Sequence, residues 1–311
     1  MSASDLVRAT QQLQGRTLGV LWRQWGTVGA STASDPARSL VDPEALVLMS
    51  LAMQDEERRL RDVLRWWAET GAPLLNVTRI RTLAKRFPDF VRGCLGDFAY
   101  SALHDGRDFR WRPLIRPVGA TATRRGKTVG TAPRFTPPPA LPLRLRLAFG
   151  VTVKADLLTI LLGTTGAWLT VKVLAESLGY TAQSVRRAAD DLVMARLIQA
   201  TGKTPIGYRV DPGPWVEFLG TTAKIPRWHN WVPVFAFVAA LAAWIHTEAD
   251  SASATDYVLS SRARDVVVGY EDAFARNRLP IPHPEDFPGE TYLPAFLDTL
   301  AGLGKWLDES A

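Results

Sequence analysis

Four residues, Leu178-Gly179-Tyr180-Thr181, constrain this chain more than any other stretch. Ahead of them, Thr170 is a good N-cap for a helix over Val171–Leu178. Gly179 stands where a helix ends in the left-handed conformation, which only glycine enters at little cost. Thr181 then caps a further helix over about 182–195. Two helices are thereby fixed about one tight turn.

The flanking residues extend the pattern over 153–211. Lys154–Gly163 reads as a short apolar helix through Leu157, Leu158, Leu161 and Leu162, and Trp168-Leu169 as a brief extended piece. Behind the capped helix, Ile198–Ala200 and Tyr208–Val210 read as strands around a turn-rich tip that carries Lys203. The order helix, short strand, helix, tight turn, helix, hairpin resembles the winged helix-turn-helix of bacterial regulators of the MarR and ArsR type. The likeness rests on that order, and on Leu-Ala-Glu-Ser-Leu-Gly-Tyr followed by a capped helix with paired arginines. It implies a mainly α fold, a winged helix-turn-helix domain flanked by N-terminal and C-terminal helical domains. It further implies a homodimeric transcriptional regulator that binds double-stranded DNA.

At about 100° per residue, Val185, Ala188, Ala189 and Leu192 share the inner face of the 182–195 helix. Gln183, Arg187, Asp190 and Met194 point the other way, with Ser184 and Arg186 on the flanks. A helix that reads the major groove presents bidentate donors near its N-terminus. The expected DNA-binding set is therefore Thr181, Gln183, Ser184, Arg186 and Arg187, with Lys203 and Arg209 reaching phosphates from the wing. A competing reading makes this a solvated face with Arg186 paired to Asp190 at i+4. Asp190 and Asp191 weigh against dense phosphate contact.

Charge divides the chain unevenly. Residues 104–152 hold ten basic against two acidic side chains, whereas 212–311 hold seven against thirteen. Such asymmetry suits a protein that meets a polyanion with one part and something else with another. The expected division is an N-terminal helical domain (1–103), a basic Pro/Gly/Arg-rich linker or hairpin (104–152), the winged domain (153–220) and an acidic C-terminal helical domain (221–311). Within the linker, a strand over Phe109–Ile115 is possible. Arg124, Arg125 and Lys127 are expected to add non-specific contact to phosphates or the minor groove. The C-terminal domain could hold a small-molecule effector or a protein partner.

In the N-terminal part, Asp42-Pro43-Glu44 opens a helix with an N-cap, a first-position proline and a first-turn acid. Asn76 caps a basic helix over Val77–Phe87 with Arg79, Arg81, Lys85 and Arg86. Residues 74–103 are thus either a second, degenerate helix-turn-helix or part of a plain bundle with one solvated basic helix.

Trp231–Ile245 is 15 residues without a charge, shorter than the roughly 20 a membrane-spanning helix needs, and reads as a buried helix. The single cysteine, Cys94, allows no intramolecular disulfide, and the N-terminus lacks a signal-peptide pattern. A cytoplasmic protein without membrane contact is expected. The four histidines have no ligand spacing, so neither a metal nor a cofactor is expected. Gly126-Lys127-Thr128 and Gly202-Lys203-Thr204 imitate the end of a phosphate-binding loop, but the required earlier glycine is Thr121 in one and Leu197 in the other. A non-enzymatic chain is expected. The main rival to the regulator is a winged-helix interaction module within a larger assembly.

Overall fold

The computed structural model describes residues 3–115, 130, 132–220, 224–248 and 255–310. Among the described residues the fold is mainly helical, with one three-stranded sheet. Five helices come first: α1 (Ala3–Val28), α2 (Pro43–Met53), α3 (Arg59–Thr70), α4 (Val77–Leu83) and α5 (Asp89–His104). Next are α6 (Leu141–Phe149), α7 (Val153–Gly163), β1 (Leu169–Thr170), α8 (Val171–Leu178) and α9 (Ala182–Met194). The chain continues through β2 (Gln199–Ala200), β3 (Gly207–Arg209) and α10 (Pro212–Phe218). It closes with α11 (Trp231–Glu248), α12 (Asp256–Gly269), α13 (Glu271–Ala275) and α14 (Tyr292–Ser310).

Two hydrophobic cores organise these elements. The larger is built around α11, whose Trp231, Val232, Val234 to Ala239 and Leu241 are all buried. A helix apolar on every side needs cover on every side. Residues from both ends of the chain supply it: Leu13, Val20 and Trp25 of α1 and Leu46 to Met49 of α2, together with Phe274 of α13 and Phe296, Leu300 and Leu303 of α14. The segments 1–103 and 221–311, expected as separate domains, therefore share one core. Trp25 stands edge-on to Trp67 at 5.6 Å between ring centres and donates its indole N–H to Ser50 Oγ at 2.9 Å. Among the described residues, no helix is long and apolar enough to cross a membrane.

The smaller core gathers Leu141 and Leu145 of α6, the leucines of α7, and Leu174, Val185, Leu192, Ile198, Tyr208 and Trp215. α7 is buried from Ala155 to Gly163 and forms its axis. Across the sheet the order is β1-β3-β2, all antiparallel, with Leu169 opposite Tyr208 and Ala200 opposite Tyr208 on the other side.

The 104–152 segment corrects the expected linker. Phe109–Leu114 is a 3-10 helix and not a strand, because Asp108 caps it and Trp111 turns inward to meet Phe98 at 5.1 Å. Residues 141–149 are helical, and α6 belongs to the smaller core. Arg124, Arg125 and Lys127 lie outside the described residues.

Candidate nucleic-acid interface

The turn is built as its residues dictate. The Thr170 hydroxyl accepts from Val173 N at 3.4 Å and opens α8. Gly179 closes α8 at φ 74°, ψ 28°, and its N–H donates to the Ala175 carbonyl at 2.9 Å. Thr181 Oγ1 then accepts from Ser184 N at 3.2 Å and lies 2.8 Å from Ser184 Oγ. Two predicted site residues, Thr181 and Ser184, thus spend hydrogen bonds on starting α9.

α9 buries Val185, Ala188, Ala189 and Leu192 and exposes Gln183, Ser184, Arg186 and Arg187. Neither arginine is in an ion pair among the described residues. The i+4 pairing of Arg186 with Asp190 is replaced by another contact, as Asp190 accepts from the Tyr208 hydroxyl at 3.1 Å. Burial and this carboxylate raise the Tyr208 phenol above its ordinary range. Asp191 pairs with Lys154 at 2.8 Å, and that hydrogen bond lowers its carboxyl. Both acids of α9 are engaged within their own unit, and the N-terminal half of the helix keeps its cations free.

The hairpin between β2 and β3 divides its two predicted contacts. Lys203 is exposed at the tip. Arg209 instead lies 4.5 Å from the centre of the Trp168 ring and donates from Nε to Gln199 Oε1 at 2.8 Å. It braces the hairpin laterally. Lys203, Arg209 and the α9 residues belong to one unit, whereas the basic 124–127 run lies outside the described residues.

Behind the turn lies a buried cluster that the sequence pattern did not reveal. Arg79 donates from Nη1 and Nη2 to the two Asp42 oxygens at 2.8 and 2.6 Å, from Nη1 also to Glu44, and from Nε to the Leu178 carbonyl at 2.8 Å. Arg146 donates to Glu44 Oε1 and Oε2 at 2.7 and 2.9 Å, to Asp156 Oδ1 at 2.8 Å and to the Leu74 carbonyl at 2.9 Å. Asp156 Oδ2 accepts from the Tyr180 hydroxyl at 2.6 Å, and that hydroxyl accepts from Asn76 Nδ2 at 2.8 Å.

Charge taken out of water is costly unless its hydrogen bonds are complete, and here every carboxylate oxygen has a donor. Burial alone would raise the Asp42 carboxyl, but the Arg79 guanidinium holds it below the usual range. Burial opposes both guanidinium charges, yet the surrounding carboxylates raise Arg79 and Arg146 above the ordinary arginine value. Burial and Asp156 push the Tyr180 phenol far up. With its lone pairs occupied, the cluster is a clamp: it joins α2, α4, α6 and α7 to both ends of the α8–α9 turn. Asp156 was the available signal, an acid placed among Ala155, Leu157 and Leu158 in a helix that is apolar over most of its length.

Comparison with family models, curated proteins and solved structures finds no match to this chain.

Proposed function

We propose that residues 153–211 form a winged helix-turn-helix and that the chain is a DNA-binding transcriptional regulator, with α9 as the helix that enters the major groove. The reading is carried by one observation: the exposed N-terminal half of α9 presents Gln183, Arg186 and Arg187 without ion pairs, while Asp190 and Asp191 are engaged elsewhere. Arginine and glutamine are the side chains that pair bidentately with guanine and adenine edges. The order of α7, β1, α8, α9, β2 and β3 supports it, as does the exposed Lys203 at the hairpin tip, a cation of the kind that contacts phosphates. A homodimer on a symmetric operator follows from the same resemblance.

Selection from a random duplex library with the full chain tests this. The expected outcome is a two-fold symmetric consensus. Arg186→Ala/Arg187→Ala should bind it more weakly by roughly 1–3 kcal/mol for each base edge that the arginines pair with. Recovery of no consensus sinks the reading. That result would favour an interaction module, for which the supporting observation is Met194, 76% exposed at the far end of α9.

A further inference from the structure

The sequence places four cations on and just after α4: Arg79, Arg81, Lys85 and Arg86. The fold commits two of them. Arg79 is in the buried clamp, and Arg86 makes two 2.6 Å bonds to the carboxylate of Asp272. Arg81 and Lys85 remain exposed and outside any ion pair among the described residues. They recur at helical spacing with Thr78 and Thr82, both exposed, so one outward face carries two cations and two hydroxyls. The face begins at a cleft of about 290 Å³ that Asn76, Thr78, Arg81 and Arg110 line. Arg110 is tied to Asp108 at 2.6 Å, so among the described residues lining the cleft Arg81 is the cation outside an ion pair.

The opposite, inner face of α4 is fixed against the turn that precedes α9. Arg79 on the inner side of α4 bonds the Leu178 carbonyl, and Asn76 at the α4 cap bonds Tyr180. A methyl group at Gly179 would stand 2.7 Å from Leu83 Cδ2, so α4 packs directly on the turn. Unlike a flexible tail, α4 therefore holds its cations at a fixed position relative to the α8–α9 turn.

We propose that the outward face of α4 and of the turn that follows it, through Arg81 and Lys85, is a second DNA contact, one that binds the phosphodiester backbone flanking the groove occupied by α9. The inference rests on the reading of α9 as the groove-binding helix. Phosphate contacts position a protein without reading sequence, and each cation that neutralises a phosphate adds about 0.9 to the slope of log affinity against log salt.

The experiment titrates the full chain onto its selected duplex and onto a scrambled duplex over a salt series. Arg81→Ala/Lys85→Ala should weaken both about equally, by on the order of tenfold, and reduce the salt slope by about 2. Arg81→Lys should keep the parental slope. Arg186→Ala/Arg187→Ala, run alongside, should instead lower the ratio of selected to scrambled affinity. If the α4 variant keeps the parental slope while the α9 variant loses selectivity, the α4 contact is wrong and the α9 reading stands. If the parent binds neither duplex, both are wrong.

Discussion

The Tyr180 hydroxyl donates to Asp156 Oδ2 at 2.6 Å, joining the α8–α9 turn to the axis of the smaller core. Tyr180 immediately precedes the α9 cap, and Asp156 is bonded through Arg146 to Glu44 in α2. Tyr180→Phe keeps the ring and removes only the hydroxyl. It leaves Asp156 Oδ2 without a donor and Asn76 Nδ2 without its acceptor, both inside the clamp. The expected loss is about 1–3 kcal/mol in denaturant unfolding. Loss of less than about 0.5 kcal/mol would mean that the hydroxyl is replaceable and that the clamp does not depend on it.

His229 predicts an acid-sensitive core. It stands edge-on to Trp231 and Trp306 at 5.7 and 5.1 Å, and burial first, then the Arg227 charge, lowers it from 6.5 to about 4. The folded state thus favours the neutral ring, and the unfolded chain binds the extra proton. Stability should be complete above pH 6.5 and decline as pH falls toward 4, by at most about 1.4 kcal/mol per pH unit. Urea midpoints measured at half-unit steps for the parent and His229→Gln test this. Equal slopes over that window would show that His229 is not the group responsible. Asp42, which burial would raise but Arg79 lowers, loses its contribution as pH falls through its ordinary value of 3.8, so it adds to the slope only at the acid end of this window, and it does so equally in the parent and in His229→Gln.

Local signals in this chain were legible, and distant pairings were not. Thr170, Gly179 and Thr181 each act on backbone groups within four residues, so their identities alone located the turn. The helical period likewise placed Val185, Ala188, Ala189 and Leu192 inside. The clamp is different, because Arg146 meets Glu44 across 102 positions and Arg79 meets Leu178 across 99. No spacing encodes such contacts. Arg146 looked like one more charge in a basic linker, and Glu44 like an ordinary first-turn acid. Phe109–Ile115 failed for a related reason: an alternation that suits a strand was overruled by the Asp108 cap and by the burial of Trp111 against Phe98. Which of the four cations near α4 stay free was equally invisible, since Asp272, the partner of Arg86, lies 186 residues away.

Gly179 offers the sharpest test of the turn itself. Its φ of 74° is in the left-handed region, where a side chain costs roughly 1–2 kcal/mol. An alanine would also bring its methyl group to 2.7 Å from Leu83 Cδ2. That neighbour is the end of a flexible side chain, so Leu83 can shift and most of the penalty is conformational. Gly179→Ala should therefore lower unfolding stability by about 1–2 kcal/mol. Gly179→Asn should lose less of the conformational part, since asparagine enters this region more readily, but it meets Leu83 with more bulk. Running Gly179→Ala again in a Leu83→Ala background separates the two effects. A penalty set by the clash with Leu83 would vanish there, whereas one set by the backbone should persist at about the same size.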